Sequence, residues 1–324
     1  MKARINYWRR IFNAYVLNKS SQLTFWHNNP KESKGIILNE LGLYYMMFYE
    51  KADYDGLLDI NGIPMLNYHG EIGQQYNPIA IAQWGLGNFN KWILQKDLDS
   101  KNKFIKCADW LVENVVKNDF GIFVWMHNFD FEYRDTLKKP WYSGLAQGQA
   151  ISVLVRAHKL TKDDKYKRVA KLAIKSFETS IYEGGVVYVD KSSFKWIEEY
   201  IVEPPTHILN GFIWSVWGVY DFAIYFKEKK YFDLFKEFKK TLSEKLNTFD
   251  TGYWSKYEHS GTFISMIASS FYHKLHIVQL KILYNLTKDE VFNFYSNKWL
   301  KYQGNYLFRK IALIQKVFFK VFYY

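Results

Sequence analysis

The residues best suited to chemistry fall in four polar and aromatic clusters, each at or just before the start of an apolar run. The first is Gln74, Gln75, Tyr76 and Asn77, leading to Gln83 and Trp84. The second is Trp141, Tyr142, Ser143, Gln147 and Gln149. The third lies in WIEEYIVEPPTHILNGF, where Glu198, Glu199 and Tyr200 precede two prolines and Asn210. The fourth combines Tyr257, Glu258 and His259 with Tyr272, His273 and His276. Phenols, amides and indoles around a few carboxylates suit hydrogen bonding to sugar hydroxyls and stacking on sugar rings. His273 and His276, three apart, share one helix face, but without a clear third ligand they point to sugar or carboxylate contacts rather than to a metal. Gln147 and Gln149 are two apart, so only one can follow a given helix face. Pro204 and Pro205 hold the third cluster extended, as a rigid presenting loop at a cavity mouth. Glu198, beside Glu199, is expected to face solvent.

These clusters need elements to position them, and the apolar spacing supplies helix pairs. Pro78 suits a first helical position and opens one helix; a second is expected at about 99–117, with Val115 among its apolar residues. Phe120 to Met126 reads as a strand. Further helices are expected at about 144–160, 164–180, 207–227, 230–247, 264–285 and 288–301, with turn signals at Gly184-Gly185 and Asp250-Thr251-Gly252 between pairs. The fold class is mainly α: an incomplete (α/α) toroid of helical hairpins with short strands and a small irregular or β N-terminal arm. No residue-level repeat is expected to mark the hairpins. The domain reading is 1–75 as the arm, opened by a basic helix; 76–302 as the toroid; and 303–324 as a basic amphipathic helix.

Aromatic residues make up 20% of the 324, which suits a carbohydrate-facing cleft. The formal charge of +12 favours acidic polymers or anionic membranes. Zinc-finger and RNP-type patterns are absent, so nucleic acid is not the expected partner. One cysteine, Cys107, excludes an internal disulfide. No phosphate loop, HExxH or GxSxG occurs, and neither a cofactor nor a metal is expected. No apolar run reaches the length of a membrane span, so the expected location is cytoplasmic, with the basic termini able to lie on the inner membrane face.

YNPIAIAQWGLGNFNKW, PWYSGLAQGQAISVLVRAHKLTKD, EEYIVEPPTHILNGF, FDTGYWSKYE and FYHKLHIVQL resemble, in order, the catalytic region of the D-glucuronyl C5-epimerases, over about residues 70–300. The resemblance implies an (α/α) toroid and C5-epimerisation of hexuronate residues, D-glucuronate to L-iduronate in type, within heparosan-like chains. It implies functional tyrosines at Tyr200, Tyr257 and Tyr272, with Glu199 tuning or relaying a proton. Tyr76, Gln83, Arg134, Trp141, Tyr142, Gln147, Gln149, Asn210, His259, His273 and His276 are the expected substrate contacts.

Such a reaction removes the proton beside the uronate carboxylate and returns one to the opposite ring face, so a base and an acid must oppose each other. The substrate carboxylate must also be neutralised. Animal members carry an arginine shortly after the tyrosine matching Tyr257; here Glu258, His259 and Ser260 stand there, leaving His259, His273 or Arg134 as substitutes. The expected partner is an acidic polysaccharide or lipid-linked oligosaccharide of a bacterial-type capsule or surface-glycan system, with a homodimer kept open. The alternatives are a polysaccharide lyase or glycoside hydrolase on the same toroid, with Glu199 and Glu258 as its carboxylates, or a non-catalytic uronate-glycan-binding protein.

Overall fold

The structure is a computed structural model describing residues 25–26, 29–68, 72–133, 136–259 and 261–323. The expected basic helix at 1–20, and Arg134, lie outside the described residues. Two compact units divide the chain: residues 33–207 with 211–242, and residues 1–32, 208–210 and 243–324.

The larger unit begins with an arm of turns, a short helix α1 (Tyr49–Ala52), and the strand pair β1 (Leu66–Asn67) and β2 (Gln74–Gln75). Hairpins of helices follow: α2 (Pro78–Gln95) with α3 (Leu98–Glu113), α4 (Gly144–Thr161) with α5 (Asp164–Ala173), and α6 (Leu209–Phe226) with α7 (Lys229–Lys245). Between the first two pairs, β3 (Val115–Lys117), β4 (Phe123–His127) and β7 (Trp141–Tyr142) form an antiparallel sheet. A small hairpin joins β5 (Phe131–Glu132) to β6 (Thr136–Leu137). After α5 come β8 (Val187–Val189) and β9 (Lys195–Ile197), also antiparallel. The other unit carries α8 (Ser270–Thr287), α9 (Glu290–Gly304) and α10 (Tyr306–Tyr323). The mainly α class, built of paired helices with short strands, is the one expected.

Local chemistry sets the helix ends. The Asn77 side chain accepts from the amides of Ile79 and Ala80 to open α2, and Ser143 and Ser269 open α4 and α8 in the same manner. Helices α2, α4, α6 and α8 are each followed by a lysine in the left-handed region: Lys96, Lys162, Lys227 and Lys288, with φ between 56° and 63°. Each lysine precedes an acidic residue, and Asp97, Asp163 and Asp289 cap the partner helix. This Lys-Asp or Lys-Glu joint is a residue-level repeat, contrary to expectation. It sits in the turns, outside the apolar pattern.

Three boundaries differ from the sequence reading. The second helix ends at Glu113, where Asn114 bonds back to the Trp110 carbonyl, and Val115 pairs in β3 with Trp125. The fourth ends at Ala173 and tightens into a 3₁₀ turn over Ile174–Phe177. Helix α8 starts at Ser270, because the preceding residues pair instead, Lys256 bridging Ile267.

Helices α4 and α6 approach closely enough that a Cβ on Gly148 would lie 2.5 Å from the Ser215 Cα, and one on Gly218 would lie 2.2 Å from the Gly148 carbonyl oxygen. Below this contact an ion pair is sealed from water. The Arg156 guanidinium donates to both Asp221 oxygens, at 2.6 and 3.2 Å, and Tyr45 donates to the same carboxylate at 2.6 Å. Arg156 also donates to the carbonyls of Gly42 and Ser152. Arm, α4 and α6 thus share one buried charge pair.

Histidines are buried in both units. In the larger, His127 stacks on Trp141 at 3.8 Å. In the other, His273 stacks on Trp254 at 3.8 Å, and both His273 and His276 meet the Ser255 hydroxyl through Nδ1. Burial pushes His127 and His273 down to about 3 and His276 well below its ordinary value.

Asp221→Ala strands a buried guanidinium and is expected to lower the unfolding free energy of urea titrations by about 3–5 kcal/mol. Replacing both partners by Arg156→Met and Asp221→Leu should cost less than the single change. For the histidines, the folded pKa lies below the unfolded value of ~6.5, so the unfolded chain binds protons that the fold refuses. Their neutral-state stability is intact above that pH and is lost progressively as pH falls toward about 3. Each should steepen the fall by up to about 1.4 kcal/mol per pH unit. Thermal midpoints of His127→Leu should therefore decline less than wild type on acidification.

Candidate active site

The loop after β9 is built on two neighbouring carboxylates with opposite surroundings. Glu198 does not face solvent, as the sequence reading had it; it is fully buried. Its carboxylate accepts from the backbone amides of Thr206 (3.3 Å) and His207 (3.0 Å) and meets the His207 Nδ1 at 2.5 Å. His207 holds a left-handed backbone, φ 51°, and stacks on Trp196 at 4.1 Å. The Glu198 backbone also bonds to Val186 and to Gly144, the first residue of α4.

Glu199 is buried as well and meets α6 at Gly211, where an added Cβ would lie 2.1 Å from its Oε2. Only glycine lets this carboxylate lie against the first turn of α6. Tyr200, 9% exposed, has an aromatic wall: Tyr133 at 4.7 Å, Trp141 at 5.6 Å and Phe131 at 5.7 Å between ring centroids. Trp141 donates from Nε1 to the Phe129 carbonyl, and Tyr133 donates to the Thr206 hydroxyl at 3.0 Å. Glu199, Tyr200 and Trp141 thus come together, with Tyr133, Glu198, His207 and Gly211 as members that sequence reasoning missed. The Asn-Gly pair opening α6 was the available signal.

On the same unit lies a groove of about 630 Å³. Tyr76, Trp110, Phe120 and Tyr142 line it, with Asn114 and Asn118 among its polar groups. Tyr76 and Trp110 lie 5.6 Å apart, and Tyr76 donates to Asp59 at 2.8 Å. Tyr142 donates weakly to the Gly185 carbonyl, and burial pushes its phenol up. Trp110 and Phe120 were not among the expected contacts, because single aromatics in a helix and a turn carry no signal.

The glutamines have structural positions. Gln147 accepts from the Trp125 amide and donates to the Phe123 carbonyl and the Ser176 hydroxyl, tying α4 to β4. Gln83 donates to Gln149 at 3.1 Å between α2 and α4, and both are buried.

In the other unit, Tyr257 and Tyr272 meet edge to face at 4.9 Å. Tyr257 is held by backbone bonds from its amide to Met266 and from Leu209 to its carbonyl. Tyr272 sits in the first turn of α8, its amide bonded to Ser269. Glu258, next to Tyr257 in sequence, is buried. Asn210 is buried, its carbonyl accepting from Gln279 at 3.0 Å. His259 stacks on Phe249 and meets the Thr248 hydroxyl. His273 and His276 do not form a ligand pair on an open face: both are sealed around Ser255, and His273 also bonds to the Trp299 carbonyl. No group of three potential metal ligands occurs among the described residues. Lys316, one of the cations of the basic amphipathic helix, is buried, donating to the Ile267 carbonyl at 2.9 Å. Burial lowers it to about 7, Lys320 adds to that fall, and the Glu258 charge opposes both.

Residues 118–301 match the family described as D-glucuronyl C5-epimerase C-terminus. An uncharacterised protein of Methanocaldococcus jannaschii is 30% identical over 245 residues, covering 70% of this chain and 78% of that protein. The D-glucuronyl C5-epimerase of Caenorhabditis elegans is 31% identical over 229 residues, covering 65% of this chain but only 36% of the worm protein. Among solved structures, an unsaturated glucuronyl hydrolase from Bacillus sp. GL1 is 17% identical with a TM-score of 0.47, covering 69% of this chain and 61% of that one. With more than half of its length matched, the chain belongs to the D-glucuronyl C5-epimerase C-terminal family.

Proposed function

We propose that this protein is a C5-epimerase of hexuronate residues in an acidic polysaccharide or lipid-linked glycan, working at the cytoplasmic face of a surface-glycan assembly system. The observation that carries the reading is the Glu199–Tyr200 pair, a buried carboxylate seated on Gly211 next to a phenol walled by aromatic rings. Family membership supports it, as does the aromatic groove, which offers ring faces and amides to a sugar chain.

The chemistry follows from what the reaction demands. The C5 proton is acidic only by virtue of the adjoining carboxylate, so abstraction needs a base near the ring and a positive or hydrogen-bonding environment for the carboxylate. Ionising an ordinary tyrosine at neutral pH costs about 4 kcal/mol, so a phenol acting as base needs a proton acceptor beside it. In this reading Glu199 is that acceptor for Tyr200. A second acid must return a proton to the other ring face, and Tyr257 and Tyr272 are the tyrosines that the family resemblance assigns to the reaction.

The test is incubation with glucuronate polymers in deuterated water, following exchange at C5 by mass and by NMR. Wild type should incorporate deuterium; Tyr200→Phe and Tyr257→Phe should each lower the rate by about 100-fold or more. An unsaturated product absorbing in the ultraviolet would mark a lyase instead, and new reducing ends a hydrolase. Absence of exchange and cleavage on every uronate polymer offered would sink the enzymatic reading.

Gly211→Ala isolates the role of Glu199. The added methyl must push the Glu199 carboxylate aside, yet alanine is the better helix former by about 1 kcal/mol. Exchange activity is expected to drop at least tenfold, roughly what misplacing a catalytic group costs, while the thermal midpoint changes little. Unaltered activity would remove Glu199 from the proton path.

A further inference from the structure

Helix α10 has two unlike faces. Ala312, Lys316 and Phe319 point into its own unit. The opposite face presents Leu307, Ile311, Ile314, Phe318, Val321 and Phe322, between 36% and 66% exposed. Spaced by three and four residues, they form one continuous apolar stripe along about four helical turns. Phe263, fully exposed on a neighbouring loop, extends the patch: it lines a shallow groove of about 740 Å³ with Ile311, Ile314 and Phe318. An exposed stripe of this size is a binding surface rather than stray surface apolarity.

The charge around the stripe says what covers it. Helix α10 contains no acidic residue, and the exposed Lys310 borders the stripe, while Arg309 and Lys320 lie on the side of Lys316. Lys310 is exposed and sits over the Tyr306 ring at 4.4 Å. Tyr306 and Tyr323, at the two ends of the helix, are both exposed. An apolar stripe bordered by a cation, with no acidic residue on the helix, terminal tyrosines and a protein of formal charge +12, has the features of a helix lying in the interface of an anionic bilayer. A second copy of the chain is a poorer occupant, because a two-fold contact across the stripe would set Lys310 of each copy against a helix with no acidic residue to pair it. Among the described residues no helix is long and apolar enough to cross a membrane, so the attachment is peripheral.

We propose that the outer face of α10, with Phe263, docks on a membrane surface containing anionic lipid. This holds whatever chemistry the protein performs. The experiment is co-sedimentation of the full chain with phosphatidylcholine vesicles, with and without phosphatidylserine. Binding is expected only to the anionic vesicles and should weaken as salt rises. Ile314→Ser with Phe318→Ser should abolish it; both side chains are exposed, so circular dichroism and thermal midpoint should stay as in wild type. Lys310→Glu removes one cation and adds an anion, and should weaken binding at least about 5-fold. Equal binding to both vesicle types, no binding, or binding unaltered by the Ile314 and Phe318 changes would overturn the proposal. So would a concentration-dependent dimer in light scattering that the same changes dissolve, since that names a second copy as the occupant.

Discussion

The Arg156–Asp221 pair is the constraint around which the larger unit is arranged. Two full charges removed from water are tolerable only when their hydrogen-bonding groups find partners. Here the partners come from three places: Asp221 on α6, Ser152 on α4 itself, and the arm through Gly42 and Tyr45. The arm cannot slide without stranding the guanidinium, and α4 and α6 cannot part without stranding both charges. The Gly148–Gly218 contact brings the same two helices close enough for the pair to close. Helix α4 begins at the Glu198 carbonyl and α6 carries Gly211 against Glu199, so the spacing of these two helices positions the presenting loop.

That loop solves a problem set by adjacency. Successive residues of extended chain point to opposite sides, so Glu198 and Glu199 cannot do the same work. Glu198 turns inward and binds the amides of Thr206 and His207 together with the His207 ring, closing the proline-containing loop on itself. With Glu198 locked, Glu199 lies against Gly211 and Tyr200 against the ring wall of Tyr133, Trp141 and Phe131. A buried anchor on the neighbouring residue restricts the Glu199–Tyr200 segment before any ligand arrives, which is what the proposed proton transfer requires.

Much of this was legible in the sequence, and what was not has identifiable physical reasons. Apolar spacing placed the paired helices, because each must bury one stripe. It misplaced the end of α3, where Asn114 competes for the Trp110 carbonyl, and it passed over the Lys-Asp joints, which lie in turns. The motif-bearing residues Glu199, Tyr200 and Trp141 do converge. Gln147, His273 and His276 read as cleft residues because polarity marks a need for partners without saying where they are. Their partners, Ser176, Ser255 and Trp299, are 21–29 residues away for Gln147–Ser176, His276–Ser255 and His273–Trp299, beyond any local pattern. Glu198 was misjudged for the same reason: two carboxylates in a loop look solvated until the loop closes on one of them.

Lys316 carries this reasoning furthest. On a helical wheel it shares a face with Arg309 and Lys320, as one more cation of a basic helix. The fold buries it while Lys320, one turn on, is near enough to lower its pKa. Its amine is buried against the Ile267 carbonyl, and the preceding Gln315 donates to Ser265. These bonds fasten α10 to the segment that pairs with Tyr257, whose amide bonds to Met266 and whose neighbour Lys256 bridges Ile267. A buried ammonium is costly, and its lowered pKa records that cost; only the Glu258 charge offsets it. An apolar residue at this position would pack more cheaply. The Gln315 and Lys316 bonds therefore tie the helix with the outward apolar face to the segment bonded to Tyr257, so α10 is integral to its unit and not an appendage.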